Sequence, residues 1–176
     1  SDYGCDSSCY ERACPSPPPS PPSPPSPPPA TPGAFVTKAQ LQSAVAEWTA
    51  DAANASGVYG HISAWDTSLI TDMSYLFCGL SGSYYASRGC NVRNQQFNDD
   101  VNAWDVSQVT AMHYMFHGAT SFDQELNSWN VSQATTMDSM FFFAPSFDQQ
   151  LNSWDVSQVT SMFYMFKNAY DFDQQL

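Results

Sequence analysis

The sequence predicts an α/β solenoid of about four stacked repeats, closed at one end by an amphipathic capping helix and preceded by a polyproline II rod. Three observations carry that prediction. A 25-residue step relates Trp104, Trp129 and Trp154, then Met112, Met137 and Met162, then Phe122, Phe147 and Phe172. Within each unit a short strand-like run precedes apolar residues at helical spacing. Finally, 12 of the 13 prolines fall between Pro15 and Pro32, so the chain is made of two different materials.

Residues 1–14 form a tail with Cys5, Cys9 and Cys14 among small and polar side chains. Residues 15–33 follow as PSPPPSPPSPPSPPPATPG. Proline fixes φ and has no amide donor, so this stretch suits neither a helix nor a central strand. It reads as a polyproline II rod of ~55 Å at about 3.1 Å per residue, and its simplest role is a stiff spacer. The Ser-Pro-Pro repeats resemble the hydroxyproline-rich glycoproteins of algal and plant walls, such as pherophorins and extensins. That resemblance implies hydroxylation and O-glycosylation at Pro17, Pro18, Pro19, Pro21, Pro22, Pro24, Pro25, Pro27, Pro28 and Pro29, with Ser20, Ser23 and Ser26.

Residues 34–62 are predicted as the capping helix and its connection. Thr37 with Gln40 makes a capping box, and Val36 with Leu41 its hydrophobic staple. Leu41, Val45, Trp48 and Ala52 then recur at helical spacing over 38–52, before Gly57 and Gly60.

Residues 63–176 hold the repeats. Three complete units read NAWDVSQVTAMHYMFHGATSFDQEL, NSWNVSQATTMDSMFFFAPSFDQQL and NSWDVSQVTSMFYMFKNAYDFDQQL. An earlier one begins AWDTSLITDMSYLF, and there Phe77 and Phe97 lie 20 apart instead of 6, which marks a 14-residue insertion bearing Cys78 and Cys90. Leu126-x-x-Trp129-x-Val131 puts Trp129 and Val131 on one face of a short strand, while Val109, Met112, Met115, Phe116 and Ala119 suggest a helical or 3₁₀ return. Strand followed by helix is the leucine-rich-repeat layout, with Trp and Met in place of many leucines. A β-solenoid with strand in the Met-rich stretch is the alternative.

The pattern Trp-Asp-Val-Ser-x-Val-Thr-x-Met-x-x-Met-Phe, then Phe-Asp-Gln-x-Leu, resembles the repeat of BspA-like leucine-rich-repeat surface proteins. The same unit recurs in mycoplasma surface lipoproteins and in secreted proteins of algae and protists. The stretch from Phe35 through Trp48 to Tyr59-Gly60-His61-Ile62 resembles the cap of that family. The resemblance covers about 140 residues and implies an extracellular surface repeat protein. Asn130 for the usual Asp, Ala134 for Val and the Cys78–Cys90 insertion are the departures.

Cys78 and Cys90 share one inserted loop, and a disulfide across it would stabilise by ~3 kcal/mol. The tail cysteines allow one local pair and one left over for another segment or subunit. Their spacing lacks a CxxC pair or a nearby histidine, which argues against a metal site. Asn54-Ala55-Ser56 and Asn130-Val131-Ser132 are N-glycosylation sequons.

Seventeen acidic against five basic residues give a net charge of −12, the wrong sign for a nucleic-acid partner. No apolar run approaches the ~20 residues of a membrane span. No basic stretch followed by an apolar one begins at Ser1, so a secretory signal is expected to be absent or already removed. His113 and His117 are four apart, like a metal pair, but without an HExxH context or a third ligand they read as a variable exposed face. Asp105, Asn130 and Asp155 form one ladder, and Asp123, Asp148 and Asp173 another. Calcium between stacked carboxylates is one reading. Amide hydrogen bonds at each residue's own turn is the simpler one. Side chains repeated at every unit, Ser107, Ser132 and Ser157 among them, read as architecture, whereas catalysis needs one unique constellation. No enzymatic activity and no cofactor are expected.

Phe142, Phe143, Phe163 and Tyr164 are predicted on the exposed helical, convex face, where clustered aromatics suit a partner or a sugar. The sequence stops at Leu176, the first position of another strand, so either the natural protein continues or this end meets a neighbouring molecule, an open edge being a template for pairing. The expected function is a structural subunit of an extracellular glycan-coated fibril or wall, self-associating through the repeats and the rod. A surface adhesion module acting through the aromatic face is the alternative.

Overall fold

A computed structural model of the chain describes residues 32–175. The three tail cysteines and the proline and serine positions named above lie outside the described residues.

Helix is concentrated in the cap. Helix α1 spans Lys38–Ala50 and α2 spans Ala52–Tyr59. The capping box is present: Thr37 Oγ1 accepts from the Gln40 amide at 3.3 Å, and Gln40 Oε1 accepts from the Thr37 amide at 3.1 Å. The single helix expected over 38–52 is interrupted at Asp51, whose extended backbone ends α1 while its carboxylate accepts the Asn54 amide and starts α2. Val36 is exposed, so it is no staple; Phe35 is the buried neighbour of the helix start. Leu41, Ala44, Val45 and Trp48 form the buried face of α1 and join the core that runs down the repeats. Lys38 ties the helix to the first repeat through an ion pair of 3.0 Å with Asp72.

The repeats do not form an α/β solenoid or a leucine-rich-repeat stack. Among the described residues there is no strand, and residues 98–175 contain no helix; apart from the cap, helical turns occur only at Ile62–Ala64, Ser83–Ala86 (α3) and Val92–Gln96. Each unit is instead a coil of successive turns, laid on its neighbour in parallel register. Single parallel bridges link Asp72 with Ala111, Ala111 with Thr136 and Thr136 with Ser161.

The hydrogen bonds explain why neither regular element forms. In the stretch read as helical, alternate amides point to the next unit: Met112 donates to Thr136, Tyr114 to Asp138, Phe116 to Met140 and Gly118 to Phe142, all at 2.8–3.0 Å. The amides between them close local four-residue turns, Met115 to Met112, His117 to Tyr114 and Ala119 to Phe116. Backbone left-handed at Tyr114 (φ 59°) and Gly118 (φ 72°) interrupts any right-handed helical run. The same apolar spacing is therefore met by a chain of turns. In the stretch read as strand, side chains bridge the units. Trp129 Nε1 donates to the Val101 carbonyl at 3.0 Å, Trp154 Nε1 to Leu126 at 2.9 Å, and Trp104 Nε1 to Ile62 at 2.8 Å.

Inside the coil the aromatic rings form columns. Phe77, Phe116, Phe141 and Phe166 stack at 5.3, 5.5 and 5.6 Å, within 6° of parallel. Phe97, Phe122, Phe147 and Phe172 make a second column with 5.9 Å steps. The columns touch at 4.0–4.1 Å within each unit. Met112, Met115, Met137 and Met140 are fully buried beside them. Offset stacking of this kind adds to the transfer free energy of burying large rings.

Candidate functional site

The outer corner of each unit, where a left-handed residue sits, carries side chains that differ from unit to unit. Counting the insertion, Tyr75, Tyr114, Ser139 and Tyr164 are equivalent positions, and all four have positive φ (62°, 59°, 53° and 60°). Three residues further on stand Cys78, His117, Phe142 and Lys167. Together they make a continuous aromatic stripe along the stack. Tyr75 stacks on Tyr114 at 4.9 Å, Tyr114 on His117 at 5.0 Å, and His117 on Phe142 at 4.7 Å. Phe142 then meets Phe143 at 4.9 Å and Tyr164 edge-on at 5.9 Å, and Tyr164 lies 3.7 Å from Phe163. The four residues singled out from sequence are thus one patch, although on turns and not on a helix. Tyr75, Tyr114 and His117 extend it and were missed; Tyr75, Tyr114 and Tyr164 sharing one register position was the signal.

The insertion covers the first half of this stripe. The Cys78–Cys90 disulfide closes it, with Cα atoms 4.6 Å apart. Tyr75 and the two cysteines form a small buried cluster of their own, against which Leu80, Tyr85 and Tyr114 pack. The Arg88 guanidinium lies 5.5 Å from the Tyr75 ring and 4.6 Å from that of Tyr84. Glycines make room for this cover. A Cβ at Gly79 would meet the Gly118 carbonyl at 2.4 Å, and one at Gly118 would touch Leu80 at 3.0 Å. In the next two units the residues equivalent to Gly118 are Phe143 and Asn168, and there the stripe is open. Phe143 and Tyr164 are each 46% exposed and Phe163 is 63% exposed. Lys167 Nζ lies 4.1 Å from the Tyr164 ring and 5.5 Å from Phe142.

His117 is buried at the junction of the two halves, contrary to an exposed variable face, and its Nδ1 has no hydrogen-bond partner. Burial holds its pKa down at about 4, so the ring is neutral at neutral pH. Burial also lowers the pKa of the half-buried His113, which approaches Thr136 at 3.5 Å. The two histidines do not form a metal pair: no group of three His, Cys, Asp or Glu suited to a metal occurs among the described residues.

The acidic ladders are built into the stack. Asp105, Asn130 and Asp155 accept the amides of Ser107, Ser132 and Ser157 two residues on, at 2.9–3.2 Å. Asp123 and Asp148 serve the following unit instead. Asp123 Oδ1 accepts from the Asp148 amide and the Gln149 side chain, and Asp148 Oδ1 from the Asp173 amide and the Gln174 side chain. These bonds, first that from Gln174 and then that from the Asp173 amide, lower the pKa of Asp148; the Ser157 side chain and amide do the same for Asp155. Burial works to raise the pKa of Asp72, yet the bonds from Ser74 and the Lys38 ammonium outweigh it and the net shift is down. Of the sequon asparagines, Asn54 is exposed in the first turn of α2, and Asn130 is exposed at its turn.

No helix among the described residues is long and apolar enough to cross a membrane. Neither the curated proteins nor the solved structures contain a match to the chain. The family model described as "Mycoplasma protein of unknown function, DUF285" matches residues 40–84 and 85–176. That match takes in α1 from Gln40 onward, all of α2, the insertion and every stacked unit, and the chain belongs to this BspA-like, mycoplasma-type repeat family.

Proposed function

We propose that the protein is a non-enzymatic structural subunit of an extracellular, glycan-coated surface assembly, working by stacking and contact. The observation that carries this is the use to which the recurrent polar side chains are put. Trp indoles, the Asp123 and Asp148 carboxylates and the Thr110, Thr135 and Thr160 hydroxyls all hydrogen-bond one unit to the next. A side chain engaged in holding the stack is not free for proton transfer or nucleophilic attack. The Ser-Pro segment would space the copies and carry O-linked sugar, and Asn54 and Asn130 N-linked sugar.

Electron microscopy of native material, with intact-mass and hydroxyproline analysis of the same sample, tests this reading. Ordered filaments of glycosylated, hydroxyproline-containing protein are expected. Single particles at the bare 19.4 kDa polypeptide mass would reject it.

The open aromatic patch favours a second reading, in which the protein is an adhesion or recognition module that binds a protein or a glycan. Phe142, Phe143, Phe163 and Tyr164 lie together, outside the core columns, with Phe143, Phe163 and Tyr164 exposed.

A further inference from the structure

The aromatic stripe is one continuous surface with two fates. Over Tyr75, Tyr114 and His117 it is covered by the chain's own insertion. Over Phe143, Phe163 and Tyr164 it is exposed, with Phe142 partly buried behind them. The covered half shows what this surface accepts: the side chains of Leu80 and Tyr85, with the Arg88 guanidinium over the ring of Tyr75. Tyr85 also approaches His117, the last covered ring, at 6.4 Å.

We infer that the uncovered half is a docking site for a loop of a partner protein with the insertion's own chemistry, an aromatic or branched aliphatic anchor next to an arginine. This deepens the recognition reading above and rests on it. Continuity carries the argument first, because the rings of the two halves are in contact through His117 and Phe142. Charge carries it next. The chain is at −12, so an arginine-bearing loop is attracted, and Lys167, already over the Tyr164 and Phe142 rings, leaves the Phe143 and Phe163 rings for the incoming guanidinium. A guanidinium over an aromatic face gains a cation–π contact in addition.

The polar rim argues for a peptide over a sugar. Stacked pyranoses need hydrogen-bonding groups beside the rings. Here Asp138 Oδ1 already accepts from the Phe163 amide and the Ser161 hydroxyl, and the Ser139 hydroxyl faces the Phe163 carbonyl, which leaves the Lys167 ammonium and the Tyr164 hydroxyl as the polar groups beside the rings. An apolar anchor with one cation asks less of that rim.

The test uses the full chain and a synthetic peptide of residues 78–90, closed by its own disulfide, titrated by NMR. Saturable shifts at Phe142, Phe143, Phe163 and Tyr164 are expected. Affinity should fall at least tenfold with Phe143→Ser plus Phe163→Ser, and likewise when the arginine of the peptide is replaced by alanine. Tyr170→Ser, at the most exposed tyrosine among the described residues and outside the stripe, should leave it unchanged. Both protein variants are surface changes, and an unchanged melting temperature certifies them as folded. No saturation at millimolar peptide, or binding indifferent to the double variant, overturns the inference. A panel of neutral wall oligosaccharides is titrated in parallel. Oligosaccharide binding at the patch without peptide binding overturns the partner class and leaves the recognition reading intact; silence from both removes both.

Discussion

Two units with nearly the same sequence, 127–151 and 152–175, live in different environments. Val131 is 1% exposed and its equivalent Val156 39%; Met137 is fully buried and Met162 is not. Their own residues do not account for this, since the first reads NSWNVSQATTM and the second NSWDVSQVTSM. What differs is that one has a unit on each side. In a stack, each unit buries its neighbour's apolar face, so stability is a sum of nearest-neighbour terms and not a property of the unit.

The largest effect that would sharpen this comparison comes from the phenylalanine column. Phe141 is sandwiched between Phe116 and Phe166 and touches Phe147 at 4.0 Å. Phe141→Ala should cost about 3–5 kcal/mol, the usual range for deleting a buried ring. Phe166→Ala, in the partly buried last ring of the same column, should cost about half as much by urea denaturation. Equal losses would break the nearest-neighbour account.

The disulfide contrasts the first unit with the others. Cys78→Ser with Cys90→Ser removes a loop closure across 12 residues of sequence separation and should cost ~3 kcal/mol. The insertion should then leave the stripe, raising hydrogen exchange over 79–90 while the units beyond stay protected. Loss of protection throughout would mean that the insertion supports the stack itself.

How much of this was legible in the sequence divides along the same line. The 25-residue register could be read because Trp, Met and Phe recur at one step, and each occupies the core in the units that have a neighbour on both sides. The cap start could be read because Thr37 and Gln40 satisfy helix amides whatever packs beyond them. The turn geometry could not, because apolar residues at i, i+3 and i+4 are common to a helix and to a chain of four-residue turns. Gly118 and Asn168 at equivalent positions were the available sign of left-handed backbone, and Phe143 between them hid it. The stripe was half visible: Phe142, Phe143, Phe163 and Tyr164 stood out as a cluster, whereas Tyr75 and Tyr114 meet only once the 14-residue insertion is looped out.

His117 marks the border of the covered half, and acid should probe it. Its pKa falls from the ordinary 6.5 to about 4 on folding, so below pH 6.5 the unfolded chain binds a proton that the folded chain does not. Stability is therefore complete above pH 6.5 and declines as pH falls toward 4, with a slope of at most ~1.4 kcal/mol per pH unit. His117→Phe should flatten that decline, as read by urea midpoints at pH 7, 5.5 and 4.5. The acidic ladders act lower, because the depressed Asp72, Asp148 and Asp155 lose their contribution only as pH falls through their lowered pKa values. A decline between pH 6.5 and 4.5 that survives in the variant would assign it to another group.

The smallest expected effect concerns the left-handed corner, and it separates strain from recognition. Phe143 holds φ 54° where the neighbouring units have Gly118 and Asn168, at 72° and 62°. Asparagine tolerates this backbone better than phenylalanine, so Phe143→Asn should stabilise by up to ~1 kcal/mol. Phe143 is half exposed and sits on Phe142, so little burial is lost in exchange. A stabilised variant that no longer binds at the patch would mean that the phenylalanine is kept for contact against the preference of its own backbone. A destabilised one would mean that the ring matters to the fold, and the uncovered half of the stripe would then be packing like the covered half.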